Sequence, residues 1–311
     1  MPFDLDPAVA HLIALGAGPA QPEDFREGDH RRLRAILDDG LAQMRSLPGN
    51  PEVLSRSFTA PAPDGHPVRM TWYSIGDVPP GSAVVHFHGG ARVAGSVDLY
   101  GPLISTYVAW TGVPMLSVDY RLAPEGGAES AALDGMTAVA WLHENAERLG
   151  VARDRIAVMG DSAGGGVAAS VAIAARDAGI RLARQILIYP MLDDRVPPPD
   201  PHLAASPTLF SYAYSRTAWQ AVLSSLELGS EPTHLAAAGR NTRFADLAPA
   251  FIEVGEMDIF RDENVGYAQR LWAAGVSTEL HVHPGMPHAY DVLLLGDDAY
   301  QSGKVRAIRS L

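Results

Sequence analysis

Apolar positions along this chain follow two alternating rhythms, and their succession predicts the architecture. Near the amino terminus Val9, Leu12, Ile13 and Leu15 share one stripe of a helix that Asp6-Pro7 can start. A second helix is expected from about Gly28 to Met44, with Leu33, Ile36, Leu37 and Leu41 as its apolar face, before Pro48-Gly-Asn-Pro51 breaks the pattern. Strand signals begin at Val53–Thr59 and Val68–Tyr73, on either side of the turn at Pro63-Asp-Gly65. Strands are then expected at Ser82–His88, Val113–Tyr120, Arg155–Met159, Arg184–Tyr189, Ala250–Gly255 and Val276–Val282. Between them lie helical stretches at Leu99–Thr111, Ser130–Leu149, Ser162–Ala178 and Arg261–Ala274, with another from Tyr290 onward. This alternation implies an α/β fold, with a mostly parallel sheet, helices on both faces and an antiparallel start.

Residues 195–229 break the rhythm. Pro197-Pro-Pro199 is followed by Phe210, Tyr212, Tyr214 and Trp219 without a strand pattern. The interval reads as an insertion at a strand's carboxyl end, where ligands bind in open α/β sheets. The expected division is therefore 1–50 helical, 51–194 and 230–311 core, and 195–229 inserted.

Composition narrows the function classes. Of 311 residues 47% are apolar and 19% charged, as in ordinary globular proteins. A formal charge of −12 argues against nucleic acid or an anionic membrane surface as partner. The absence of cysteine excludes disulfides, thiolate catalysis and zinc–cysteine or iron–sulfur sites. Asp4 and Asp6 precede the first apolar stretch, where a secretory signal carries positive charge, and apolar runs stay short of a membrane span. A soluble cytoplasmic protein is expected, with the oligomeric state left open between monomer and homodimer.

The candidate chemistry centres on Ile156-Ala-Val-Met-Gly160-Asp-Ser162-Ala-Gly164-Gly-Gly166. A buried strand ends at Gly160, and an alanine- and valine-rich helix starts just after Ser162. Gly-x-Ser-x-Gly in that setting presents a nucleophile on a sharp strand-to-helix turn. A Cβ two residues before or after the serine would collide with the neighbouring strand or helix, which glycine at 160 and 164 avoids.

Acyl transfer by serine needs a base, a group to orient it and donors for the oxyanion. Among eleven histidines, His288 in Pro284-Gly-Met-Pro-His288-Ala-Tyr290 follows the last strand, at the sheet edge the serine occupies. Asp258 follows the strand Ala250–Gly255 and is the expected orienting carboxylate; Glu256 and Asp262 are alternatives, with Asp262 better suited to cap the next helix. The order Ser162, Asp258, His288 is that of an α/β-hydrolase. Donors are expected from the Ala163 N–H and from the loop His88-Gly89-Gly90-Ala91. The pairs His86-x-His88 and His281-x-His283 could each share a strand face, but no carboxylate accompanies either in a familiar metal motif, so no metal is expected.

Together these blocks resemble the hormone-sensitive-lipase-like family of α/β-hydrolase esterases over nearly the whole chain. The resemblance rests on His88-Gly-Gly-Ala91, Asp119-Tyr-Arg-Leu-Ala-Pro-Glu125, Gly160-Asp-Ser-Ala-Gly-Gly165, Asp258-Ile-Phe-Arg-Asp-Glu263 and His288-Ala-Tyr290. It implies an α/β-hydrolase fold and a triad of Ser162, Asp258 and His288. It also implies an oxyanion hole from the N–H groups of Gly90, Ala91 and Ala163, and a helical cap made of the amino-terminal helices and the insertion. His88, Gly89, Asp161 and Glu125 are expected to support the site. Arg92, Phe210, Tyr212 and Tyr214 are candidates for the substrate pocket. For Arg92 the competing reading is an ion pair or solvent, and for the aromatics it is the cap's own core. The chain departs from the family where glycine is usual at Ala91 and Ala289, where an aromatic is common at Arg92, and after Glu125. The resemblance implies hydrolysis of short- to medium-chain carboxylic esters without a cofactor. A lactonase or amidase with the same triad is the alternative, as is a binding protein of the gibberellin-receptor kind, against which the presence of His288 argues.

Overall fold

The computed structural model describes residues 3–17, 22, 25–47, 49–76, 81–204 and 209–311. Pro48 and parts of the 1–50 and 195–229 intervals lie outside them. Eight strands form one sheet: β1 Val53–Pro61, β2 Pro67–Ile75, β3 Gly81–Phe87, β4 Met115–Asp119, β5 Val151–Asp161, β6 Gln185–Ile188, β7 Ala250–Gly255 and β8 Thr278–His283. Their spatial order is β1-β2-β4-β3-β5-β6-β7-β8. β1 pairs with β2 and β2 with β4 antiparallel, and all other pairs are parallel, which is the expected mixed start to a parallel sheet.

The central strands are apolar on both faces because helices cover both. Val85, Phe87, Leu116, Val118, Ile156, Val158, Leu187 and Ile252 point one way, onto α4 (Ser130–Asn145), α5 (Ala163–Asp177) and α8 (Arg261–Ala273). Their alternates Val84, Met115, Ala157, Met159, Ile186, Phe251 and Val254 point the other way, onto α3 (Val97–Thr111) and α10 (Asp298–Arg309). This period of two is the strand's own geometry.

Four further helices lie around the carboxyl edge: α1 Pro7–Ala14, α2 His30–Ala42, α7 Tyr212–Leu223 and the single turn α9 Tyr290–Leu293. A single turn, α6 (Pro201–Ala204), lies within the insertion. The apolar face of α2 (Leu33, Ile36, Leu37) packs with Phe210, Tyr214, Trp219 and Val222 of the insertion in a third cluster. The amino-terminal interval and the insertion thus meet through α2 and α7. Val9 of α1 packs elsewhere, with Met286 and Tyr290.

Most element ends shift by a few residues from expectation, and three differences bear on the site or its support. β5 starts at Val151 rather than Arg155, the helix expected from Tyr290 onward is split into α9 and α10, and Asp262 does not cap α8. Phe260 occupies that N-cap position, and Asp262 sits in the first turn paired with Arg261. Among the described residues no helix is long and apolar enough to cross a membrane.

Candidate active site

β5 ends directly under Ser162, whose backbone is bent to φ 55° and ψ −122°. A non-glycine residue in that region stores roughly 1–3 kcal/mol, which the surroundings must hold in place. Here the Ser162 N–H donates to Ile188 O at 2.8 Å, and its carbonyl accepts from Met191 N at 2.9 Å and Gly166 N at 3.1 Å. The flanking glycines have no room for a side chain. A Cβ at Gly160 would lie 2.3 Å from the Gly164 carbonyl, and one at Gly164 would lie 2.1 Å from Phe87 O, where β3 ends.

The three residues expected to cooperate are brought into contact. Ser162 Oγ lies 2.8 Å from His288 Nε2, and His288 Nδ1 lies 2.7 Å from Asp258 Oδ2. The other Asp258 oxygen accepts from Phe260 N at 2.9 Å, which leaves the carboxylate only one orientation. All three side chains are buried. The rival carboxylates are engaged elsewhere: Glu256 accepts from Gly285 N at 3.0 Å, and Asp262 pairs with Arg261.

Gly90 and Ala91 line the cavity that Ser162 and His288 open into, and Ala163 begins α5 immediately after the serine. The Gly90 carbonyl accepts from Val93 N and Ala94 N, closing a tight turn. Ala91 and Arg92 sit at φ 56° and 60°, and Ala289 at 59°, all left-handed. Glycine usual in the family at 91 and 289 thus has a physical reason, since alanine is strained there by about 1–2 kcal/mol. Ala91→Gly is expected to stabilise the fold by up to about 1 kcal/mol, the relief being partly cancelled by glycine's greater unfolded-state entropy. Gly90→Ala should do the reverse, because its Cβ would meet Ala94 O at 2.3 Å with φ at 117°. Thermal unfolding of the two variants checks both signs.

His88 supports this turn from below. Its Nδ1 lies 2.7 Å from Gly89 O, its ring stacks on Tyr120 at 4.4 Å, and burial pushes its imidazole below the ordinary range, so it stays neutral. Asp161 accepts from Tyr100 Oη at 2.7 Å, and its other oxygen faces His86 Nε2 at 3.6 Å. Glu125 is exposed and forms a two-pronged pair with Arg34 of α2, which holds its carboxyl down at about 2.

The cavity has a volume of about 290 Å³. Leu12, Leu37, Leu41, Met44 and Leu47 form one wall, and Phe210, Val292 and Leu293 another. Three pocket candidates do not reach it. The Arg92 guanidinium is buried and donates to Ala128 O and Ala236 O, each at 2.6 Å, so it neither recognises a ligand nor pairs with an acid. Tyr214 packs edge-on against Phe25 and Phe210, and the Tyr212 hydroxyl accepts from Asp200 N. Both tyrosines belong to the contact between α7 and its neighbours. Phe210 does line the cavity, with its ring 5.4 Å from that of His288.

Tyr189 is a wall residue that sequence patterning did not single out. It follows β6 with φ 35°, its ring lies edge-on to His288 at 4.7 Å, and its hydroxyl donates to buried Asp291 at 2.5 Å. Its position at a strand's carboxyl end was the available signal. The histidine pairs are otherwise occupied: His86 Nδ1 faces Ser117 Oγ, and His281 faces Glu279. Among the described residues no group of three or more His, Cys, Asp or Glu side chains could hold a metal ion.

Comparison with known proteins shows what the whole chain is similar to. A family model described as an alpha/beta hydrolase fold matches residues 84–292. The chain is 36% identical over 301 residues to the carboxylesterase NlhH of Mycobacterium tuberculosis, covering 92% of this chain and 89% of that one. It is 35% identical over 274 residues to the esterase LipI of the same organism, covering 83% of each. Among solved structures, a bacterial heroin esterase superposes with a TM-score of 0.85 at 30% identity, covering 98% of this chain and 97% of that one.

Proposed function

Given that this chain belongs to the hormone-sensitive-lipase-like family of α/β-hydrolase esterases, we propose that it cleaves short- to medium-chain carboxylic esters through an acyl-enzyme on Ser162. The observation that carries this reading is the unbroken hydrogen-bonded line from Asp258 through His288 to Ser162 at an apolar cavity. His288 takes the serine proton as Oγ attacks the ester carbonyl. The N–H groups of Gly90, Ala91 and Ala163 receive the oxyanion, and His288 then protonates the leaving alcohol. Water repeats the two steps on the acyl-enzyme. Asp258 accepts from Nδ1, keeps the lone pair of Nε2 facing the serine, and stabilises the imidazolium that forms.

Chain length follows from the cavity, which lies at the small end of ligand sites and has leucine and methionine side chains in its walls. A panel of p-nitrophenyl esters is expected to peak in kcat/KM between about two and eight acyl carbons and to fall beyond that. Lactones and anilides should turn over at least about ten-fold more slowly. Faster turnover of either would move the assignment to a lactonase or an amidase.

A further inference from the structure

The turn that carries two of the proposed oxyanion donors is held from two sides. Gly90, Ala91, Arg92 and Gly95 all have positive φ, so the turn is not a conformation the chain adopts unaided. From the core side, buried Arg92 ties it to Ala128 O and Ala236 O. From the cap side, α2 presents two side chains one helical turn apart. Arg34 Nε donates to Val93 O, and Asp38 Oδ1 accepts from Gly95 N at 2.9 Å. Positions i and i+4 share a helix face, so a donor and an acceptor on α2 match an acceptor and a donor two residues apart on the turn. Arg34 is itself braced by Ala123 O at 2.7 Å and by both oxygens of Glu125. The adjoining face of the same helix, through Leu37, Gly40 and Leu41, lines the cavity.

We infer that Arg34 and Asp38 are positioning residues that clamp the 90–95 turn to α2, so that the cap aims the oxyanion donors. Neither lines the cavity, and each acts through the backbone of the turn. One rigid helix therefore touches both the substrate's apolar part and the turn that meets its carbonyl. Filling the cavity fixes α2, and α2 fixes Gly90 and Ala91. Binding energy from a remote part of the substrate then appears as kcat rather than only as a lower KM. This inference rests on the esterase reading proposed above.

The test compares Asp38→Ala with Asp38→Asn, because asparagine keeps an oxygen that can accept from Gly95 N. Asp38→Ala is expected to lower kcat about ten-fold, less than outright loss of a donor, with KM changed by less than about two-fold. Asp38→Asn should restore most of that loss. Labelling of Ser162 by a fluorophosphonate, which also builds charge on oxygen in the hole, should slow by the same factor as kcat. Arg34→Met should behave as Asp38→Ala does. Measurements well below each variant's unfolding temperature keep folded fraction out of the comparison. Wild-type kcat in Asp38→Ala, equal rates in the alanine and asparagine variants, or a loss confined to KM would each overturn the clamp. Failure of the esterase reading looks different: the wild type itself would then turn over no ester in the panel.

Discussion

Ser162→Ala is expected to lower kcat for a p-nitrophenyl ester by about 10⁴- to 10⁶-fold, or roughly 5–8 kcal/mol of transition-state stabilisation. The size follows from geometry. The Ser162 hydroxyl is the group that His288 Nε2 faces at 2.8 Å, and without it the base has no positioned nucleophile to activate. What survives would come from binding and the oxyanion donors acting on water. Stability should change little, because alanine meets the same strained φ of 55° and loses only a small buried hydroxyl. Mass spectrometry after fluorophosphonate treatment gives an independent readout, with one adduct on the wild type and none on the variant. Asp258→Asn should cost about 10⁴-fold with the fold intact. An amide at 258 can donate to Nδ1, which moves the imidazole proton to Nε2 and removes the lone pair the serine needs. Variants of either kind within ten-fold of wild type would end the triad assignment.

The central sheet was legible because its two physical signals are local. Strand runs such as Ala250–Gly255 are short, apolar and bounded by turn residues, and most strands of the parallel part alternate with stretches long enough to be helices. The Gly-x-Ser-x-Gly turn was legible for a similar reason, since the contacts that exclude a Cβ at 160 and 164 are made by the strand and helix that flank it. Asp258 and His288 could be found because topology alone puts residues following β7 and β8 at the carboxyl edge.

What escaped sequence reading depends on where side chains turn after the chain has folded. Arg92 follows the proposed oxyanion donors Gly90 and Ala91 directly and so looked available to a substrate. Its left-handed backbone instead sends the guanidinium into the core, onto two carbonyls far away in sequence. Tyr212 and Tyr214 carry the composition of a ligand wall, but α7 presents them to neighbouring cap residues, while Phe210 just before the helix reaches the cavity. Arg34 and Asp38 sit on the polar side of an amphipathic helix, where charge ordinarily signals solvent. The position of α2 over the 90–95 turn gives each of them a backbone partner there, and Arg34 also reaches Ala123 O and Glu125. Lys304 escaped in the same way, as one charged residue of a polar carboxyl-terminal helix.

Lys304→Met is expected to destabilise the fold by about 3–5 kcal/mol, lowering the unfolding midpoint by roughly 10 °C. The Lys304 ammonium is fully buried between Glu253 of β7, at 2.8 Å, and Asp291 of α9. Burial alone would lower its pKa, but the two carboxylates outweigh that and hold it above the ordinary lysine range. A raised lysine pKa stabilises the fold fully below the unfolded value of about 10.4, and that contribution is lost as the folded group deprotonates. Glu253 is already pushed up to about 7 by burial and by Asp291, with the lysine pulling the other way. Methionine fills similar volume but leaves two buried carboxyls without a cation, so Glu253 moves further up and Asp291, which the lysine helps hold below the ordinary carboxylate range, is pushed up by its burial. A carboxyl whose folded pKa is raised loses stability as pH rises above its unfolded value, so the deficit should be largest near pH 8 and shrink toward pH 5. Urea unfolding of wild type and variant at those two pH values measures this, and a deficit independent of pH would show that the cation does not hold the cluster. The same cluster reaches the active site. Asp291 accepts the Tyr189 hydroxyl, Tyr189 lies against the His288 ring, and Asp291 stands three residues beyond His288. Loss of the lysine therefore loosens the wall behind the base, and kcat of the still-folded variant should fall below wild type before any unfolding is detectable.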